Sequence, residues 1–360
     1  MNRNPRRRAA VPRRVGARSA PTRPGPMPFD EAVQHLERAL ALREALPDAG
    51  PGGAVRLVHG AGDGLDGFVL EQFDRTLILQ LHEGRLALDG PSIERLAQFA
   101  MSRRRAAAVY RKVFPRDRSF ADADGELRAA QPWLGSAAAE EFPIVENGLR
   151  LLVRPYDGYA TGLFLEQRDN RARVRARASG RRVLNAFAYT CAFGVAAAAG
   201  GAAEVVNVDV AKKALEWGRR NYDSSGLNTE NQWFIADDVF RYYRRAQRQE
   251  RRFGLIILDP PTFARSKQHG STFQIETDLE RLVAGALERL DAGGWLLLAT
   301  NDRRLSLRRL EHGVMSAARE QGGQVEITDR PAAPADFPGD PEYSKSLWCR
   351  WSPAARRRAD

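Results

Sequence analysis

Between Arg182 and Thr300 short aliphatic runs alternate with helix-length segments, and that alternation constrains the fold more than anything else in the 360 residues. Arg182 to Phe187, Glu204 to Val208, Gln232 to Ile235, Leu255 to Leu258 and Trp295 to Thr300 read as strands. Val195 to Ala199, Ala211 to Ser224, Val239 to Arg248 and Thr272 to Leu290 read as the helices between them. Strands separated each time by a helix cannot be joined by a tight turn, so they lie parallel, with the helices on the faces of the sheet. The expected fold class is therefore α/β: a Rossmann-like, doubly wound, mostly parallel sheet.

In such a sheet ligands bind outside the carboxyl ends of the strands, where the strand order reverses. The first strand end opens into Asn185-Ala186-Phe187-Ala188-Tyr189-Thr190-Cys191, a loop with none of the glycine fingerprint that lets backbone approach a pyrophosphate. A phosphate-free nucleoside such as S-adenosylmethionine can use a looser loop. Asp209 ends the second strand, 24 residues beyond Asn185, where an acid would hold a ribose diol. Asp237 and Asp238 end the third strand and could take an adenine amine, although Asp is also a common helix N-cap. The fourth end reads Leu258-Asp259-Pro260-Pro261-Thr262-Phe263. Two prolines fix φ and remove two N–H donors, leaving a stiff backbone of carbonyls for the polar edge of a planar base, with Phe263 to stack on it. The plain alternative is an ordinary strand-to-loop turn.

The rest of the chain reads as follows. A helix over Phe29 to Leu46 stops at Pro47. Val55 to Val58, Phe68 to Leu70 and Thr76 to Leu81 read as strands around the glycine-rich turn Gly60 to Gly67. Ile93 to Val113 reads as helical, with a terminal strand as the alternative. These segments make a small α+β module over residues 29–132, ahead of a larger domain over 133–352 that begins with a hairpin at Asn147-Gly148. The formal charge of +11 is concentrated in the tails: residues 1–28 carry eight arginines and no acid, and Arg356, Arg357 and Arg358 face only Asp360. Such tails (1–28 and 353–360) cannot bury a core and are expected to be disordered. They could grip phosphate, act as a solubilising extension or serve as a transit peptide. No apolar run nears 18 residues, so no membrane helix is expected. The two cysteines show no zinc spacing, so the chain reads as cytoplasmic and metal-free.

With these motifs in place, the chain resembles the class I S-adenosylmethionine-dependent methyltransferases of large-subunit ribosomal RNA. That family includes a 23S rRNA cytosine-C5 methyltransferase and the guanine-N7 half of a bifunctional 23S rRNA enzyme. The resemblance runs from about Val55 to Trp351. It rests on Thr161-Gly162-Leu163-Phe164-Leu165-Glu166-Gln167-Arg168-Asp169-Asn170-Arg171, on Val183 to Gly194, on Asp237 to Phe240 and on Leu258 to Lys267. It implies S-adenosylmethionine as cofactor, held by Asn185, Ala186, Phe187, Tyr189, Thr190, Asp209, Asp238 and Asp259. Gln167 and Arg168 would close over its methionine end, and Asp259, Pro260, Pro261, Phe263 and Lys267 would form the reacting site. The implied partner is 23S rRNA or an assembling large ribosomal subunit, with Arg265, Lys267 and Arg171 as RNA contacts. The chain departs from the family in having Cys191 where glycine is usual, and in lacking a recognisable N-terminal RNA-binding domain.

Cytosine C5 is a poor nucleophile, and enzymes acting there first add a cysteine thiolate to the ring. The cytosine branch carries that cysteine just after the fifth strand, where this chain has Thr300-Asn301-Asp302. Guanine N7 has a free lone pair and needs only in-line positioning. Pro260-Pro261-Thr262-Phe263 followed by Ala264-Arg265-Ser266-Lys267 also looks more like the guanine-N7 branch. Guanine N7 is thus the favoured atom, with an exocyclic amine and cytosine C5 as alternatives. Rival classes are a nicotinamide-dependent oxidoreductase, disfavoured by the missing glycines, and a non-catalytic RNA-binding relative.

Overall fold

The structure is a computed structural model that describes residues 27–115, 125–265 and 272–354, without the side chains of Glu126 and of residues 263–265. The basic segments before Met27 and after Ala354 lie outside the described residues. The Met27 N–H donates to the Ala87 carbonyl (2.9 Å), and the Ala354 N–H donates to that of Gly322 (3.0 Å).

Helix α1 (Phe29–Glu44) is followed by strands β1 (Ala54–His59), β2 (Phe68–Phe73) and β3 (Thr76–His82), then α2 (Gly90–Arg103), β4 (Ala108–Phe114) and β5 (Leu134–Gly135). The five strands form one sheet in chain order, antiparallel except that β3 and β4 run parallel across α2. Leu36 and Leu40 of α1 and Leu96 and Ala100 of α2 pack on Leu57, Leu77 and Val109, so the helices cover one face. The opposite face, with Phe73, Ile78 and Tyr110, packs on the larger domain. Residues 93–113 therefore split into a helix and a strand. Arg105 adopts a left-handed φ of 50°, which ends the helix, and the alternation of Val109, Arg111 and Val113 with Tyr110 and Lys112 then suits a pleat.

The larger domain begins with the hairpin β6 (Phe142–Glu146) and β7 (Leu149–Val153), turned at Asn147 (φ 50°) and Gly148 (φ 76°). Both turn residues have positive φ, as a tight I′-type hairpin demands. Then come α3 (Arg168–Arg177), β8 (Arg182–Ala186), α4 (Ala192–Ala199), β9 (Glu204–Asp209), α5 (Lys212–Ser224), β10 (Gln232–Ala236), α6 (Val239–Arg248) and β11 (Phe253–Leu258). A small ribbon, β12 (Phe263–Arg265) with β13 (Thr272–Gln274), precedes α7 (Ile275–Leu287), β14 (Leu290–Thr300), α8 (Leu307–Glu320), β15 (Gly323–Asp329) and β16 (Lys345–Pro353). The segment 272–290 is thus not one helix: its first three residues are a strand paired with β12, and its last residue opens β14. Pro353 likewise belongs to a strand rather than a tail.

The main sheet has seven strands in the order β10-β9-β8-β11-β14-β16-β15. The neighbours from β10 to β14 pair in parallel, and β16 runs antiparallel to both β14 and β15. The chain winds outward from β8 to β10, then returns to β11 on the other side. The crevice between the ends of β8 and β11 is therefore the switch point where this architecture binds ligands. Among the described residues, no helix is long and apolar enough to cross a membrane.

Candidate functional site

A cavity of about 320 Å³ opens at that switch point. Its wall includes Phe187, Tyr189 and Thr190 after β8, Asp209 and Val210 after β9, Asp237 to Val239 after β10 and Asp259 to Thr262 after β11. Gly162 to Phe164, Glu166, Arg171, Phe273 and Asn301 complete much of the rest.

The loop after β8 is shaped by three residues with side chains in the left-handed region, Phe187 (φ 56°), Tyr189 (φ 46°) and Cys191 (φ 61°). Glycine would adopt these angles without strain, so three such residues store backbone strain here, of order 1–3 kcal/mol each. Cys191 is the residue just before α4, so a glycine-like conformation is kept at this position by a cysteine. The strained loop is tied down on both sides. The Thr190 hydroxyl donates to the Gly162 carbonyl (2.6 Å), and the Tyr189 N–H donates to Asp209 (2.8 Å). Asp209 also accepts from the Ala211 N–H (2.8 Å), so both its oxygens are engaged by backbone. Burial raises the proton affinity of its carboxyl, and those N–H donors oppose the rise. Asp238 caps α6, accepting from the N–H groups of Phe240 (2.9 Å) and Arg241 (3.2 Å), while it borders the cavity. The capping reading and the ligand-facing reading of this residue are thus compatible.

Asp259 lies at the end of β11 with Pro260 and Pro261 beside it. Its carboxyl is pushed up to about 7, mainly by burial and then by the charge of Glu166, with Arg171 opposing. The Thr262 hydroxyl interacts with Asp302 by a hydrogen bond, which links the end of β11 to the end of β14.

Several residues expected at the site lie elsewhere. Asn185 is buried beneath the loop, donating to Asn207 (2.9 Å), and Ala186 is fully buried within β8. Gln167 is bound into the interior, accepting from Asn170 (2.8 Å) and donating to the Ser344 hydroxyl (3.4 Å). Arg168 turns away from the cavity into the seam with the small sheet. There it donates to both oxygens of Asp336 (3.0 and 3.2 Å) and to the Ala54 carbonyl (2.9 Å), and pairs with Asp48 (3.0 Å). Arg171 does border the cavity, but it is only 3% exposed and grips Glu146 with two 2.6 Å contacts, which takes it off any RNA-facing surface. For Asn185, Gln167, Arg168 and Arg171 the physical reason is the same: their polar groups are satisfied inside the protein, where losing a partner would be costly. The side chains of Phe263 and Arg265, and Lys267 altogether, lie outside the described residues.

Conversely, Glu166, Phe164, Phe273 and Asn301 border the cavity without having been singled out. Glu166 and Phe164 stand inside the run Thr161 to Arg171, so a signal existed for them. Phe273 sits in a strand taken for helix, 5.1 Å from the Phe187 ring. Neither Cys191 nor Cys349 lines the cavity; both are fully buried, and burial pushes both thiols up, Cys349 to about 12.

A cavity built from strand-end carboxylates and aromatic rings, with no phosphate-cradling glycines, fits a cationic, phosphate-free nucleoside. Comparisons with known proteins agree. Residues 92–347 match the S-adenosylmethionine-dependent methyltransferase family. The ribosomal RNA large subunit methyltransferase I of Erwinia tasmaniensis is 32% identical over 322 residues, covering 89% of this chain and 77% of its own. Its namesake in Yersinia pestis is 30% identical over 319 residues, covering 88% and 78%. Among solved structures, the methyltransferase SMU.776, complexed with SAH, superposes with a TM-score of 0.78 at 25% identity, covering 90% of this chain and 82% of its own.

Proposed function

The chain belongs to the S-adenosylmethionine-dependent methyltransferases, and from that premise we propose that it methylates a base of large-subunit ribosomal RNA. The bound cofactor supplies an electrophilic methyl group on a sulfonium. Asp209 would hold its ribose, with its carboxylate fixed in place by the Tyr189 and Ala211 N–H groups. Asp238 and Val239 would flank the adenine, and the strained Phe187 to Thr190 loop would underlie the methionine end. Asp259, with the carbonyls of Pro260 and Pro261, would take the polar edge of the target base. A base within a helix must first be extruded to reach this crevice.

For the acceptor atom we favour guanine N7, by direct in-line transfer without a covalent enzyme intermediate. The single observation that carries this choice is the absence of a thiol from the cavity wall: the end of β14 contributes Asn301, and both cysteines are buried elsewhere. Cytosine C5 is the second reading, favoured by the kinship with the ribosomal RNA large subunit methyltransferase I proteins. It would require one of two buried, proton-retaining thiols to reach the base.

Mass-spectrometric mapping of modified nucleosides in rRNA from a deletion strain tests the function: one large-subunit methyl mark should vanish and return on complementation. A full complement of marks refutes it. Asp259→Ala should fail to restore the mark while remaining folded. The double variant Cys191→Ala/Cys349→Ala should restore it; loss of transfer with the fold intact would favour the cytosine reading.

A further inference from the structure

Of the two cavity-wall acids that the reading above leaves unused, Asp237 is paired with Arg241 (3.0 Å), and Glu166 is the other. It sits in the single helical turn Leu165–Gln167, and only 6% of its surface is exposed, yet it borders the cavity. Among the described residues, the one hydrogen bond its carboxylate accepts comes from its own backbone.

The cations near it are already committed. Arg56, from β1, is held by Glu71 of β2 at 2.5 Å and lies over the rings of Phe337 and Tyr343. Arg171, from α3, is held by Glu146 and also donates to the Phe164 carbonyl (2.9 Å). Asp259 faces the same cavity from the end of β11 and feels the charge of Glu166. Burial raises the proton affinity of Glu166, Glu71 adds to the rise, and Arg56 and Arg171 oppose it.

A buried carboxylate whose one donor is its own backbone N–H is costly unless a ligand brings another. The other acids of the cavity are spoken for: Asp209 has a backbone N–H on each oxygen, and Asp238 caps α6. A cation carrying N–H donors would therefore be drawn to the Glu166 end, next to Asp259. We propose that Glu166 is a cofactor-binding residue that accepts a hydrogen bond from the α-ammonium of the methionine moiety, with Asp259 sharing the charge. This rests on S-adenosylmethionine as the cofactor and is independent of which RNA base is methylated.

Calorimetric titration of the full chain tests it without any turnover. Two ligands are compared: S-adenosylhomocysteine, which carries the ammonium, and 5′-methylthioadenosine, which keeps the nucleoside and thioether but lacks the amino-acid group. At pH 8, Glu166→Gln should weaken S-adenosylhomocysteine by about tenfold to a hundredfold, the loss expected for a hydrogen bond between charged groups. It should leave methylthioadenosine within about twofold. Equal losses for both ligands, or none for either, would overturn the assignment. Should the variant not fold, the wild-type chain gives the answer. Its affinity for S-adenosylhomocysteine should fall between pH 8 and pH 6 as the carboxyl pair takes up a proton, while methylthioadenosine stays level. Parallel profiles for the two ligands refute the assignment. A wild-type chain that binds neither ligand overturns the cofactor reading itself.

Discussion

Replacing Asp336 by alanine should be among the most destabilising single changes available in this protein, although Asp336 lies outside the cavity wall. Asp336 is fully buried in the connection between β15 and β16. Its two oxygens take both terminal nitrogens of Arg168 and the backbone N–H of Arg56 (2.9 Å), while its carbonyl takes Arg43 (3.1 Å). One side chain thus joins the catalytic domain to β1 of the small sheet. Removing one member of a buried ion pair costs about 3–5 kcal/mol, because the partner charge stays buried. Arg168 keeps Asp48, which moderates the loss, while the orphaned Arg56 N–H adds to it by about 1–3 kcal/mol. We expect about 3–5 kcal/mol in all, a large part of the about 5–15 kcal/mol that holds a typical protein together. Guanidinium unfolding followed by tryptophan fluorescence measures it. In an Arg168→Met background the same Asp336→Ala change should cost at least 2 kcal/mol less, by about the coupling expected of a broken buried pair. A cost below about 1 kcal/mol for Asp336→Ala in the wild-type chain, or no coupling to Arg168, would refute the idea of a buried strut. The same logic separates two roles for Arg168. As a strut, Arg168→Met should lower stability while leaving the affinity for S-adenosylhomocysteine within about threefold, whereas a residue grasping the cofactor's carboxylate would lose far more.

Two further outcomes follow from the site. The Asp259 carboxyl is raised from 3.8 to about 7 in the folded chain, so the folded state binds the extra proton between those values and gains stability as pH falls through that window. Above pH 7 the buried charge is a burden, so Asp259→Asn should melt higher than wild type at pH 8, with the gap closing toward pH 4; a constant gap would contradict the shift. Gly162 has a φ of 101°, and a Cβ there would stand 2.3 Å from the Trp217 ring. Gly162→Ala should therefore cost about 1–3 kcal/mol by thermal denaturation and weaken cofactor binding, since the Thr190 hydroxyl is anchored on its carbonyl. An unchanged melting temperature would show that the loop absorbs the methyl.

The parallel strands were legible because each is a short, largely apolar run, and β9, β10, β11 and β14 meet an acid or a threonine at their carboxyl ends. That pattern follows directly from a sheet covered on both faces. The position of Asp259 followed for the same reason. What spacing cannot convey is which side of the backbone a residue faces. Glu166, Gln167 and Arg168 are consecutive, yet the first points to the cavity, the second to Ser344 just ahead of β16 and the third to the small sheet. The partners that decide this, Ser344 and Asp336, lie some 170 residues away in sequence. Several arginines after Arg168 are likewise engaged within the protein. Arg173 pairs with Asp329, Arg175 caps the Asn147 carbonyl, and Arg177 lies over Trp295 and Trp348, so much of that charge is internal fastening. Strand β4 was obscured by Arg111 and Lys112, which look like a solvated helix until Lys112 is found buried beneath Tyr159.

The placement of β16 bears on the order of events during synthesis. Among the described residues it follows every other strand, yet it is inserted between β14 and β15 rather than added at an edge. Its Trp348 is fully buried and donates to Asn170, and its Ser346 receives a hydrogen bond from the same asparagine. A nascent chain that has made everything up to β15 therefore lacks both the strand that joins β14 to β15 and the Trp348 side chain that fills the core beside Asn170. Helix α3, which leads into the cavity wall, stays without the partners of its Asn170 until then. Capacity to bind the nucleoside should consequently appear late and abruptly in translation, when the final strand slides home.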